Sequence, residues 1–218
     1  MCDGQIFPQK GVPHLKNFPP KAYQNKGKIW DIETSPNGLA YFASDKGLLE
    51  FDGKNWSYFE GSKGITRSIL VANDSVLYSG SDLDFGIWKK KGLNKFVYQS
   101  LYPFKEEVQE EVEEFWNVFQ LEEKIFFISS QNIYLYKNDQ VTQIKSPFRI
   151  SACFITNDTL YLNSGETGLF YFDKLDIKLV VEYGNDINLI GKYKHKGESF
   201  FISKNKGIFT ASSNTLNP

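Results

Sequence analysis

Few side chains in this 218-residue chain could do chemistry. The two histidines are His14 and His195. His195 sits in the basic stretch Lys192-Tyr193-Lys194-His195-Lys196-Gly197, which reads as a hairpin tip. A general base needs a group that positions it, and none is adjacent here, so a solvent-facing turn residue is expected. Cys2 and Cys153 are too few for a disulfide framework or a four-thiolate metal site. Asp82 and Asp84 flank Leu83 beside Ser81 and could offer oxygen ligands to Ca²⁺, but two carboxylates do not fill its six to eight positions. They are expected to be turn residues, with no metal and no cofactor. The phosphate-binding glycine loop, the G-x-S-x-G elbow, H-E-x-x-H and CxxC are all missing, so a non-enzyme is expected. What remains is Trp30, Arg67 and Trp116. Indole faces stack on apolar ring surfaces and a guanidinium presents a planar fork of donors, which suits a sugar or another small polar ligand.

Those three residues acquire meaning only from the elements that carry them. Gly47-Leu48-Leu49-Glu50-Phe51 recurs as Asp84-Phe85-Gly86-Ile87-Trp88, Asn132-Ile133-Tyr134-Leu135-Tyr136, Gly168-Leu169-Phe170-Tyr171-Phe172 and Gly207-Ile208-Phe209-Thr210-Ala211, at a mean spacing of 40 residues. A second strand ending in small polar residues precedes each, as in Tyr41-Phe42-Ala43-Ser44 and Tyr78-Ser79-Gly80-Ser81. Residues 68–75 and 152–159 align without a gap, with Asn73-Asp74 and Asn157-Asp158 where a hairpin must turn. Those side chains tolerate positive φ and bond their own backbone. Four short antiparallel strands at this period are a propeller blade.

The spacing predicts an all-β propeller of about five blades. An extended arm covers residues 1–27, and the blades cover roughly 28–63, 64–104, 113–147, 148–187 and 188–218. The last blade shows three strands and is expected to be incomplete. The proline-rich residues 5–24 could close a five-blade ring; part of a longer, seven-bladed ring is the favoured expectation. Superposing the units brings Trp30, Arg67, Trp116 (one residue off register), Ser151 and Ile190 to equivalent innermost positions, where they would line a channel mouth. The competing structural role is for the tryptophans to wedge between blades while Arg67 bonds backbone carbonyls. In Lys105–Glu114, Val108, Val112 and Phe115 would form the apolar stripe of a short helix over the blade.

Composition agrees. Aromatic residues make up 16% of the chain and hydrophobic residues 41%, which suits a packed, strand-rich core. The net charge of −1 gives no long-range pull on nucleic acid or anionic lipid. No run approaches the length of a membrane span, and MCDGQIFPQKG lacks the features of a secretory signal.

One pattern is more specific than the repeat. Gly11-Val12-Pro13, Asn17-Phe18, Tyr23, Trp30-Asp31-Ile32, GLAYFASDKGLLEFDGKNW (38–56), TRSI (66–69), SDLDFGIW (81–88), YQSL (98–101), Glu114-Phe115-Trp116 and TGLFYF (167–172) occur in order. Together they resemble the sensor propellers of Bacteroidota hybrid two-component systems and triple-tyrosine-motif, LuxR-type transcriptional regulators. The resemblance covers the N-terminal portion of such a protein. It implies a periplasmic seven-bladed propeller that recognises a ligand, followed by an immunoglobulin-like domain, a membrane span and a kinase or helix-turn-helix output. Of that plan, this sequence carries at most the sensing part, with membrane contact only through segments absent from this chain. The expected function is therefore a ligand-sensing propeller of a signal-transduction receptor or transcriptional regulator, periplasmic by resemblance and cytoplasmic as the alternative. An oligosaccharide or other small polar molecule and a homodimer partner are the expected contacts, with no direct nucleic-acid contact. An interaction-scaffold propeller is the second expectation, and a propeller-fold carbohydrate-active enzyme the third.

Overall fold

The computed structural model describes residues 16–24, 27–61, 63–92, 95–104, 112–183, 187, 189–196, 198–212 and 215–217. Five four-stranded antiparallel sheets follow one another along the chain, each pairing its strands in sequence order. The first holds β1 (Ile29–Thr34), β2 (Ala40–Ser44), β3 (Gly47–Phe51) and β4 (Trp56–Phe59), and the second β5 (Thr66–Asn73), β6 (Val76–Ser81), β7 (Asp84–Lys90) and β8 (Phe96–Ser100). The third holds β9 (Asn117–Leu121), β10 (Lys124–Ile128), β11 (Asn132–Lys137) and β12 (Gln140–Lys145). The fourth holds β13 (Ala152–Thr156), β14 (Thr159–Ser164), β15 (Gly168–Asp173) and β16 (Asp176–Glu182), and the fifth β17 (Leu189–His195), β18 (Glu198–Ser203), β19 (Gly207–Ser212) and β20 (Thr215–Asn217).

The last strand corrects the sequence reading, which saw three strands in the fifth unit. β20 pairs Thr215, Leu216 and Asn217 with Ser212, Ala211 and Thr210. Its ladder is made by backbone groups, so a polar segment without alternating apolar residues can still complete the sheet.

The alternation of strand side chains explains why the sheets must stack. Tyr41 and Ala43 point from β2 into a core shared with Ile69, Leu77 and Trp88 of the second sheet. Phe85 of the second sheet meets Phe115, Phe127 and Tyr134 at the third. Phe126 and Ile128 face the opposite way, toward Leu160 and Leu162 of the fourth. Leu169 and Val181 meet Leu189 and Phe201 of the fifth. Four cores thus join five sheets, and among the described residues none joins the fifth sheet back to the first.

The described part of the N-terminal segment does not add a strand. Pro20–Tyr23 form a 3-10 turn, and Phe18 and Tyr23 pack edge-on or tilted against Trp56 at 5.6 and 5.2 Å. Phe18 also contacts Phe51 at 4.9 Å. The expected helix over Lys105–Glu114 falls mostly outside the described residues; of its stripe, Phe115 is fully buried and Val112 is exposed. His14 and Cys2 also lie outside them. No helix of the described residues is long and apolar enough to cross a membrane.

The two aligned hairpins turn by different means. Asn157 and Asp158 both adopt left-handed backbone, at φ 48° and 53°. Asn73 instead accepts the Ser75 amide through Oδ1 at 3.0 Å. In two units the small polar residue that ends the second strand is also explained: Ser44 Oγ donates to the Gly47 carbonyl at 3.0 Å, and Ser129 Oγ accepts the Asn132 amide at 3.0 Å. Each closes the tight turn into the third strand.

Candidate functional site

The β2–β3 type turns and the connections that enter each innermost strand emerge on one face of the stack, because the strands run up and down in order. Trp30, Arg67 and Trp116 meet on that face. Two of them owe their position to a bulge. Ile29 pairs with Ser44 and Asp31 with Ala43, which leaves Trp30 as the extra residue; Thr66 pairs with Ser81 and Ser68 with Gly80, which leaves Arg67 extra. An extra residue breaks the alternation of faces and re-aims its side chain. Ile190 occupies the matching bulge of β17.

The Arg67 guanidinium packs against both indoles, its carbon 4.9 Å from the Trp30 ring centre and 4.3 Å from that of Trp116. The indoles themselves are 5.8 Å apart and nearly perpendicular. Arg67 Nε bonds Asp82 Oδ1. Its Nη2 donates to Asp82 Oδ2 at 3.2 Å and to Glu114 Oε1 at 2.6 Å. Glu114 Oε2 accepts the Trp116 indole N–H at 3.0 Å, while Trp30 donates to Asp45 Oδ1 at 2.7 Å. The Lys28 amide and the Trp30 indole, in that order, hold the Asp45 carboxyl below its ordinary range. Arg67 is 9% exposed and Trp116 is 45% exposed. The arginine is thus an internal clamp across three sheets, and Trp116 is the member that offers surface to solvent.

Beside Trp116 opens a cleft of about 380 Å³ lined by Glu113, Glu114, Ser129, Asn132 and Arg149, among others. Glu113 organises its wall. Its carboxylate accepts Ser129 Oγ at 2.6 Å, Asn132 Nδ2 at 2.7 Å, and the hydroxyls of Tyr134 and Tyr102 at 2.9 and 3.1 Å. Burial first, and the Glu113 charge second, push the Tyr134 hydroxyl far above its ordinary range, so it remains a donor. Arg149 is exposed at the cleft and has no anionic partner among the described residues.

The other predicted positions do not join this group. Ser151 exchanges hydrogen bonds with Asn163, accepting Nδ2 at 2.7 Å and donating to the carbonyl at 3.1 Å. Ile190 is 46% exposed on the fifth sheet. Asp82 and Asp84 have separate partners: Asp82 serves Arg67, and buried Asp84 accepts Ser100 Oγ at 2.7 Å. Burial raises the Asp84 carboxyl above its ordinary value despite that bond. His195 ends β17 in an exposed hairpin. Cys153 is half-buried, its thiol donating to Asn117 Oδ1 at 3.1 Å and pushed up by burial, which disfavours the reactive thiolate. Equivalence between repeats located Trp30, Arg67 and Trp116. It gave no sign that Glu113, Ser129, Asn132 and Arg149 share a cleft, because Glu113 and Arg149 lie outside the strands and the repeat positions of Ser129 and Asn132 carry no mark of the carboxylate they bond. The acidic run at 106–114 hid which glutamates face inward.

Further in, the innermost strands are cross-linked by carboxylates. Asp31 Oδ2 accepts the Ile69 amide at 3.0 Å, and Glu33 Oε2 accepts the Val71 amide at 2.8 Å. Burial outweighs that amide and lifts the Glu33 carboxyl above its usual value.

No family model matches the chain, and no curated protein matches it. Solved structures do share its fold. The extracellular domain of BT4673 from B. thetaiotaomicron, described as a one-component system, superposes with a TM-score of 0.61 at 13% identity, over 88% of this chain and 28% of that one. The computationally designed protein Ika8 matches at TM-score 0.63 and 11% identity, over 87% and 60% of the two chains. The WD40 β-propeller domain of Doa1 matches at TM-score 0.61 and 10% identity, over 88% and 68%. This chain therefore spans 28% and 60% of the first two. The five sheets are a β-propeller type of arrangement.

Proposed function

We propose that this chain is a non-catalytic ligand-recognition portion of an extracytoplasmic sensor, of the two-component-regulator propeller type, and that its five sheets belong to a larger ring of about seven. The observation that carries the reading is the Trp116 platform: a half-exposed indole held by Glu114 and stacked on buried Arg67, beside a polar cleft. A small polar ligand, an oligosaccharide above all, would stack an apolar ring face on Trp116 and share its hydroxyls with Ser129, Ser130, Gln131 and Arg149. The likeness to an extracellular domain of B. thetaiotaomicron supports a periplasmic setting. Non-reactivity is supported by the carboxylates of this face, since Asp45, Asp82, Glu113 and Glu114 each hold structural donors. The longer ring is supported by the fifth sheet, whose Ile202 and Ile208 are 37% and 54% exposed where every other junction has a core.

Thermal unfolding of the chain against a panel of oligosaccharides tests this. A ligand at 100 times its Kd adds about 2.7 kcal/mol of stability, so a binder should raise Tm, and in Trp116→Ala, whose unliganded Tm is lowered by the lost contact with Arg67, no rise should remain. A flat panel, or a rise that survives in the variant, overturns the assignment of this face.

An interaction scaffold is the second reading, favoured by the same exposed residues of the fifth sheet together with Tyr193 at 43%.

A further inference from the structure

The turns β5–β6, β9–β10 and β11–β12 emerge on the face opposite Trp116. Between the second and third sheets, that face holds a cleft of about 410 Å³. Its walls are the half-buried rings of Tyr78 and Tyr136, whose centres are 6.1 Å apart at an interplanar angle of 56°. Val76, Ile87 and Ile125 supply an apolar floor. At the rim, Tyr136 donates its hydroxyl to Asp139 Oδ1 at 2.7 Å. Glu123 and Lys137 also line the cleft and pair with each other at 3.8 Å, whereas Asp139 has no cationic partner among the described residues. Asn138 and Asp139 form the turn itself, both in left-handed backbone at φ 51° and 58°, so the carboxylate is fixed by the hairpin.

Two ring faces that carry negative quadrupole, an apolar floor and an uncompensated carboxylate within reach of both rings are the parts of a cation-binding cage. The Asp139 charge does reach both tyrosines: burial, and then that charge, raises the Tyr78 hydroxyl, and burial followed by its hydrogen bond to Asp139 raises Tyr136 to about 12. A small inorganic cation would gain little from aromatic walls and would keep its water. A molecule with methylene or methyl groups around the nitrogen loses apolar surface to the floor and places its charge between the rings. We propose that this cleft binds an alkylammonium group, presented either by a free amine or by a lysine side chain of a partner. It is separate from the Trp116 face and stands whether or not that face binds a saccharide.

Amide shifts of the ¹⁵N-labelled chain, titrated with tetramethylammonium chloride, test the proposal. The amides of Tyr78, Tyr136 and Asp139 should move saturably. Potassium chloride at equal ionic strength, and the uncharged isostere neopentyl alcohol, should not move them saturably. Tyr78→Phe should keep the affinity because the ring face remains. Asp139→Asn, which the exposed turn accommodates without loss of fold, should weaken binding about three- to fivefold. In a second arm, Nα-acetyl-lysine methylamide binding more tightly than n-butylammonium chloride identifies a lysine side chain as the guest, and the reverse order a free amine. No saturable shift, an equal response to neopentyl alcohol, or an unchanged affinity in Asp139→Asn overturns the proposal.

Discussion

Arg67 spends its guanidinium inside the protein. With Asp82 and Glu114 as acceptors and two indoles packed against it, it holds together side chains from three consecutive sheets. Its charge is compensated but largely removed from water, and removal of one partner of such a pair costs more than the pair itself contributes. Arg67→Met should therefore destabilise the chain by about 2–3 kcal/mol, less than a fully buried pair because the Glu114 side chain is 38% exposed. Arg67→Lys keeps the charge but loses the fork and the stacking plane, and should recover only part of the loss. Urea unfolding of the three proteins measures this, with Trp fluorescence reporting the loosened indoles; equal stability of all three would refute the clamp. The residues that could do chemistry were recognisable by type. That Arg67 is a clamp and Trp116 a platform was not, because the difference lies in which carboxylates surround the guanidinium. Glu114 is 47 residues away in sequence and Asp82 is 15.

At the level of the strand, the recurring glycine that opens the third strand of a unit has a steric cause. Gly47 takes φ 136°, and a Cβ built there would sit 2.6 Å from the Phe59 carbonyl oxygen on the neighbouring β4. Gly168 repeats the situation at φ 154°, with the Val181 carbonyl oxygen 2.4 Å away. Neither backbone carbonyl can yield without breaking its own ladder. Gly168→Ala should cost about 2–3 kcal/mol through strain and displaced pairing, read as a lower midpoint in chemical denaturation. Gly207→Ala is the contrast, since a Cβ there meets nothing within 4 Å and only the φ of 90° is strained; it should cost clearly less. Equal losses at the two positions would show that conformation alone, and not the close carbonyl, demands glycine. The repeat motif made these positions visible as a spacing; the carbonyl that requires them belongs to a strand about twelve residues on.

At the scale of the whole molecule, the five sheets share four cores among the described residues, and the outer faces of the first and fifth sheets differ. The face of the first sheet carries Phe42, Phe51 and Trp56, against which Phe18 and Tyr23 are packed. The fifth sheet shows Ile190, Tyr193, Ile202 and Ile208 to solvent. Contiguous exposed aliphatics of this kind drive association. Ile202→Lys combined with Ile208→Glu, which places opposite charges on facing positions of β18 and β19, should leave the stability of this chain within about 0.5 kcal/mol of the parent, as surface substitutions do, and should lower its self-association in sedimentation velocity. A large loss of stability would mean that those side chains are already packed.

The period of about 40 residues, the alternation of apolar side chains and the turn residues are local quantities, and they alone determined five units of antiparallel strands stacked through aromatic cores. Local pattern also placed Trp30, Arg67 and Trp116 at equivalent positions, because a repeat that returns to the same strand returns to the same end of the sheet. Tertiary structure decided the rest. The bulges that turn Trp30 and Arg67 out of the alternation arise in the pairing of the first two strands of their own sheets, while the four donors gathered on Glu113 and the tyrosine cleft on the opposite face need groups from separate turns and strands. The fourth strand of the last sheet was also decided by the structure, since its ladder is formed by main-chain groups whatever the side chains are. Interactions across a junction depend on side chains tens of residues apart, and no period within a single unit encodes them.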